Sequence, residues 1–276
     1  MPGYPIHKLF QAVACVALAL AAQWPCRLAV TVAREGAQVS AVRLPEEPGL
    51  RSVLGVAPSM NAGSSAAPWP LVFPLVAETQ RFSIHARGRE PVQVERSESY
   101  LSRIEGLLGQ RVLGRVTYYR YDTSEELARA TGMYAVGVTF VKSREIHSTL
   151  SFHPHEIVHL VSGQLGNPGT FFHEGLAVAL GDEGRWNGRN VHTLAKPVAR
   201  SRGLTRLIRD FESVDPEVAY PAAGSFVASL IRAHGIASVA TFFRACNGSA
   251  ASREQAFEAS FGLTLDQAAN AWATRL

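Results

Sequence analysis

Residues 155–159 of this chain read His155-Glu156-Ile157-Val158-His159, and no other stretch limits the fold so tightly. Residues four apart on a helix lie on one face. His155 and His159 can therefore bring two imidazoles to one metal ion if the stretch is helical. Two neutral nitrogens leave a zinc ion short of ligands, and it usually takes one more protein donor and a water. Glu156, beside the first histidine, can reach such a water. Zinc lowers the pKa of that water towards about 7, so that a carboxylate can take its proton. Ile157-Val158 and Leu160-Val161 are apolar, which fits a buried helix turning its polar residues to a cleft. Pro154 suits the first helical turn, where no N–H is needed, and Ser151 is the expected cap.

A second piece follows, Phe171-Phe172-His173-Glu174-Gly175-Leu176-Ala177, after a turn marked by Asn167, Pro168 and Gly169. Two helices joined by that turn can fold back so that Glu174 faces the histidines. H-E-x-x-H followed by E-G-L-A resembles the gluzincins, the metallopeptidase group to which thermolysin belongs. Within it the shorter bacterial proteins with a peptidase MA-like domain are the nearest in pattern. The resemblance covers about residues 81–276, patchily before Phe152. In the C-terminal part it is carried by Tyr220, Ser225-Phe226-Val227 and Leu230, then by Ala256-Phe257, Phe261-Gly262, Leu265 and Trp272. The metzincin pattern would need Gly at 162 and His at 165, where the chain has Ser162 and Leu165.

The resemblance implies an α+β, zincin-like fold: mixed strands and a helix, the H-E-x-x-H helix, the Glu174 helix, then a helical C-terminal part. It implies one catalytic Zn²⁺ held by His155, His159 and Glu174, with Glu156 as general base and a peptide or protein as substrate. His173 is a rival third ligand, ranked below Glu174 because E-G-L-A matches the family. Gluzincins commonly donate to the tetrahedral oxyanion from a Tyr or His of the C-terminal part. Tyr220 is the first choice here, with His192 and His234 as rivals. His153 is read as a surface residue near the cleft. Thermolysin-type enzymes carry an Asp four residues beyond the ligand Glu. Here that position is Val178, and Asp182 is the nearest carboxylate on the same helical face.

Along the chain, residues 1–22 read as a secretory signal, with His7 and Lys8 ahead of an apolar run too short to span a bilayer. Residues 23–80 have the composition of a linker or pro-segment, with Trp69, Phe73 and Leu75 as docking side chains. The domain is expected over 81–276, with an N-terminal subdomain to 165 and a helical subdomain from 166. Strands are expected at 82–85, 112–121, 133–141 and 146–152, and helices at 95–108 and from Asp122. Residues 135–139 are the candidate edge strand for pairing with extended substrate, Gly137 permitting close approach. Residues 184–190 read as a loop and 198–211 as one helix. A helix from Tyr220 ends at His234-Gly235, and Ile236–Cys246, Ser252–Phe261 and Thr264–Thr274 follow.

A net charge of +4, scattered along the chain, argues against nucleic-acid binding. Cys15, Cys26 and Cys246 lack C-x-x-C spacing, which excludes a thiolate zinc site; Cys26 and Cys246 could pair in an oxidising compartment. The expected place is extracytoplasmic, periplasmic or secreted, with no membrane span once the signal is removed. A non-catalytic, zinc-stabilised module binding peptide or envelope components is the alternative to a peptidase.

Overall fold

The computed structural model describes residues 73–87 and 90–276. The expected signal at 1–22, residues 23–72 of the linker, Cys15 and Cys26 lie outside the described residues. Cys246 is buried, with no disulfide partner among them.

Strands β1 (Leu75–Glu78), β2 (Phe82–Ala86), β3 (Val116–Arg120), β4 (Gly137–Phe140) and β5 (Glu145–Ser148) form one mixed sheet in the order β1-β2-β3-β5-β4. β2, β3 and β5 run parallel; β1 and β4 close the edges antiparallel. The described residues include a strand ahead of Arg81, inside the expected linker. Phe73 docks there on Tyr119 and Tyr121, whereas Leu75 is exposed.

Alternation along the strands gives the sheet two buried faces. Phe82, Ile84, Val116, Tyr118 and Ile146 face the main core. Helices α1 (Val94–Leu108) and α3 (Pro154–Ser162) cover that face with Leu101, Ile104 and Leu108 and with Ile157, Leu160 and Val161. Tyr119, Tyr121 and Val138 point the other way, onto Leu127 of α2 (Ser124–Thr131). β4 is an edge strand packed beside α3.

Pro154 opens α3, but its cap is His153, and no side chain caps the first turn. Ser151, expected there, instead donates to Glu90 Oε1 and accepts from Gln93 Nε2. The tie to α1 takes the hydroxyl that a cap would use.

α4 (Thr170–Leu180) packs against α3 and against α8 (Pro216–Ala245). The approach of α4 to α8 is close because two glycines interlock. A Cβ on Gly175 would stand 2.6 Å from the Ala223 carbonyl oxygen, and one on Gly224 would stand 2.4 Å from Val178 Cγ1. α8 is broken at Gly235 (φ 80°, ψ 157°), where the sequence places a helix end. By length and hydropathy α8 could cross a membrane, yet its first half is buried against α4 and α5 (Val191–Leu194).

Two expectations between α4 and α8 change. Residues 184–190 contain a hairpin, β6 (Arg185–Trp186) with β7 (Arg189–Asn190). The single helix over 198–211 is instead α6 (Lys196–Ser201), α7 (Leu204–Arg209) and a 3₁₀ turn at Phe211–Ser213. The break falls at Arg202, whose φ of 51° no helix continues. α9 (Ala250–Phe261) stops at left-handed Gly262, and α10 (Leu265–Arg275) starts on a Thr264–Gln267 capping box.

Candidate metal centre

α3 sets His155 and His159 one turn apart, and α4 brings Glu174 across from them. The Nε2 atoms of His155 and His159 each stand 3.3 Å from Glu174 Oε2. One donor atom from each of the three lies within 4.8 Å of the others. Bonds of about 2.0–2.1 Å to a tetrahedral zinc would place neighbouring donors roughly 3.3 Å apart. The spacing and the donor set fit that ion.

Hydrogen bonding gives a second test of fit. His155 Nδ1 lies 2.8 Å from Asp182 Oδ2. A ring proton on Nδ1 then leaves the Nε2 lone pair aimed at a carboxylate oxygen. Nε2 and the carboxylate oxygen, 3.3 Å apart, are then bridged by a shared cation, a metal ion or a second ring proton. Glu174 Oε1 is buried with no hydrogen-bond partner among the described residues, and so is His159 Nδ1. Although burial alone would push the Glu174 carboxyl up, His159 and His155 hold it well below the usual carboxylate range.

Glu174 is completely buried in the fifth position of α4. Val178 packs on Gly224 and so belongs to the α4–α8 contact. Asp182 supplies the carboxylate from just beyond the helix end. It comes within reach because Gly181 lies against the His155 backbone, where a Cβ would meet Cα at 2.6 Å.

Glu156 is the next residue of α3 and is 3% exposed. Thr139 of β4 lies with its hydroxyl 2.8 Å from Glu156 Oε2 and 3.0 Å from the Glu156 carbonyl oxygen. Burial raises the Glu156 carboxyl, against the pull of His159, His155 and Thr139. His153 is not on the surface: it is 5% exposed, with Nδ1 2.8 Å from Ser148 Oγ and Nε2 3.9 Å from Glu156 Oε1. Burial, then His155 and His159, pushes its pKa well down. Gly137 makes the room, since a Cβ there would stand 2.2 Å from His153 Cε1 and 2.8 Å from Glu156 Cγ. What approaches Gly137 is therefore a pair of side chains. Nothing local in the sequence marks His153, because the space it fills is made by Gly137 on another element.

The other candidates are not part of the three-donor group. His173 turns edge-on to Phe243, 5.2 Å between ring centroids, and burial pushes its pKa down to about 3. Tyr220 is buried, stacked on Trp186 at 4.5 Å and tilted against Phe211 at 5.4 Å. His192 bonds Ser225 and Arg232 at a separate cavity, and His234 lies against Phe261.

No protein-family model, curated protein or solved structure matches the chain.

Proposed function

We propose that this chain is a zinc-dependent peptidase of gluzincin type, acting outside the cytoplasm. The observation that carries the reading is the three-donor group His155, His159 and Glu174 with Glu156 beside it. Structural zinc sites are closed by four protein donors, whereas catalytic sites keep a position open. The group found among the described residues offers three. The apolar leader at 1–22 supports the location.

Zinc held there would polarise the scissile carbonyl and bring a water's pKa towards about 7. The chain's own residues do the rest. Asp182 fixes the His155 ring so that Nε2 faces inward. Thr139 holds one oxygen of Glu156, leaving Oε1 to accept a proton from water and pass it to the leaving amine. β4 offers its free edge to an extended peptide beside this carboxylate. Tyr220, held between Trp186 and Phe211, is the proposed oxyanion donor.

The non-catalytic module remains the second reading because the group is recessed: His155 is 7% exposed and Glu174 0%. Metal content and peptide-library cleavage of the full chain separate the two. The peptidase predicts one zinc per chain, lost in Glu174→Ala. It also predicts cleavage that Glu156→Gln reduces by about 10²–10⁴ with zinc retained. Zinc without cleavage of any peptide favours the module, and absence of zinc removes both readings.

A further inference from the structure

A cavity of about 400 Å³ lies away from the metal group, between α5, α6, α8 and α10. Four elements aim side chains into it. α5 gives His192 and Thr193, and α6 begins with Lys196. Ser229, Arg232 and Ala233 form one face of α8, and Trp272, Arg275 and Leu276 come from one face of α10 and the residue after it.

The floor is formed by buried side chains. Ser225 is fully buried, and its Oγ accepts from Trp272 Nε1 at 2.9 Å and lies 2.9 Å from His192 Nδ1. Arg232 lies 3.1 Å from His192 Nε2. A guanidinium only donates, so Nε2 accepts and the ring proton sits on Nδ1, directed to Ser225. His192 is thereby a neutral bracket that aims Arg232. Burial and then the Arg232 charge lower its pKa, in keeping with that role.

The wall carries three permanent cations: Lys196, Arg232 and Arg275. Among the described residues none of the three forms an ion pair, and no Asp or Glu lines the cavity. Three cations lining one cavity, against the α-carboxylate of Leu276 alone, leave it net positive and raise its affinity for anions. Two guanidinium forks and an ammonium suit an oxyanion of two charges better than a single carboxylate.

We propose that this cavity is a binding site for a phosphoryl group, distinct from the metal centre and independent of the peptidase reading. Both a soluble phosphate and a phospholipid headgroup present that chemistry. The test is calorimetric titration of the full-length, chelator-treated protein at constant ionic strength. The probes are inorganic phosphate, and vesicles of phosphatidylcholine with and without phosphatidic acid. Saturable binding is expected, weakened about tenfold or more by Arg232→Gln or Arg275→Gln. Lys196→Gln, exposed like the two arginines, should weaken it in the same sense, so that loss in all three variants is not a misfolding effect. Phosphate binding by the wild type assigns a soluble ligand, and binding only to phosphatidic-acid vesicles assigns a headgroup. No saturable binding to either probe overturns the proposal. So does binding that persists in all three variants, or binding that Glu174→Ala abolishes while they retain it.

Discussion

Asp182 stands four positions beyond the site where thermolysin-type enzymes keep their carboxylate, yet it reaches His155. A partner of this kind fixes the ring of a ligand histidine, and its loss typically costs 10–100-fold in metal affinity. Asp182→Asn should show a fall of about that size in a chelator-competition titration; an unchanged affinity would strip Asp182 of the role. Thr139→Val tests the carboxylate on the other side. It should lower kcat about tenfold with metal content intact, since one charge-assisted hydrogen bond is worth roughly 1.5 kcal/mol. An unaltered kcat would show that Glu156 needs no such tether. The pairing of His155 with His159 was legible because one helical face imposes their spacing, and Glu156 stood out only as the residue beside the first of them. His153 was not legible, because its burial depends on a missing side chain at Gly137, sixteen residues away on another element.

The α4–α8 contact decides where Glu174 lies. Gly175 follows it directly, and a methyl there would press on the Ala223 carbonyl, which cannot yield as a flexible side chain would. Gly175→Ala should push the helices apart, destabilise the fold by about 1–3 kcal/mol, and weaken zinc binding without altering any ligand. Denaturant unfolding and metal titration read the two effects, and a variant normal in both would show that α8 does not place Glu174. Gly235→Ala isolates a backbone cost, since open space surrounds the position but its φ of 80° and ψ of 157° suit glycine alone. About 1–3 kcal/mol of lost stability is expected, with the metal centre unaffected. The Gly235 break, the Gly262 stop and the Thr264 cap were all readable from local chemistry. The split at Arg202 was not, because nothing local in an arginine demands a left-handed φ.

Across the molecule, buried histidines set the response to acid. Burial lowers the pKa of His147, lowers that of His153 further, and takes that of His173 down to about 3. Each stays neutral in the folded chain and takes a proton on unfolding below about pH 6.5. Their contribution is complete above that pH and is lost as pH falls towards the folded values. Glu156 works in the opposite sense, because a raised carboxyl favours the folded state at lower pH. The metal-free protein should therefore lose stability from pH 7 to 5, with a slope of up to about 1.4 kcal/mol per pH unit per histidine. A flat profile in denaturant unfolding would mean that these rings protonate in place. The order of strands in the sheet was beyond the sequence, since non-local pairing leaves no local signature.

His155, His159, Glu174 and Asp182 all fall on α3, α4 and the turn directly after them. The chain between the first and last of them is short, so bringing them together demands little loop-closure entropy. Contact with α8 then fixes the final place of Glu174, but the four residues are already near one another in the chain. A bound ion would thus act on the folding pathway as well as on the finished protein, clasping one helical hairpin early. Refolding with zinc present should then be faster than refolding without it, and not merely more complete.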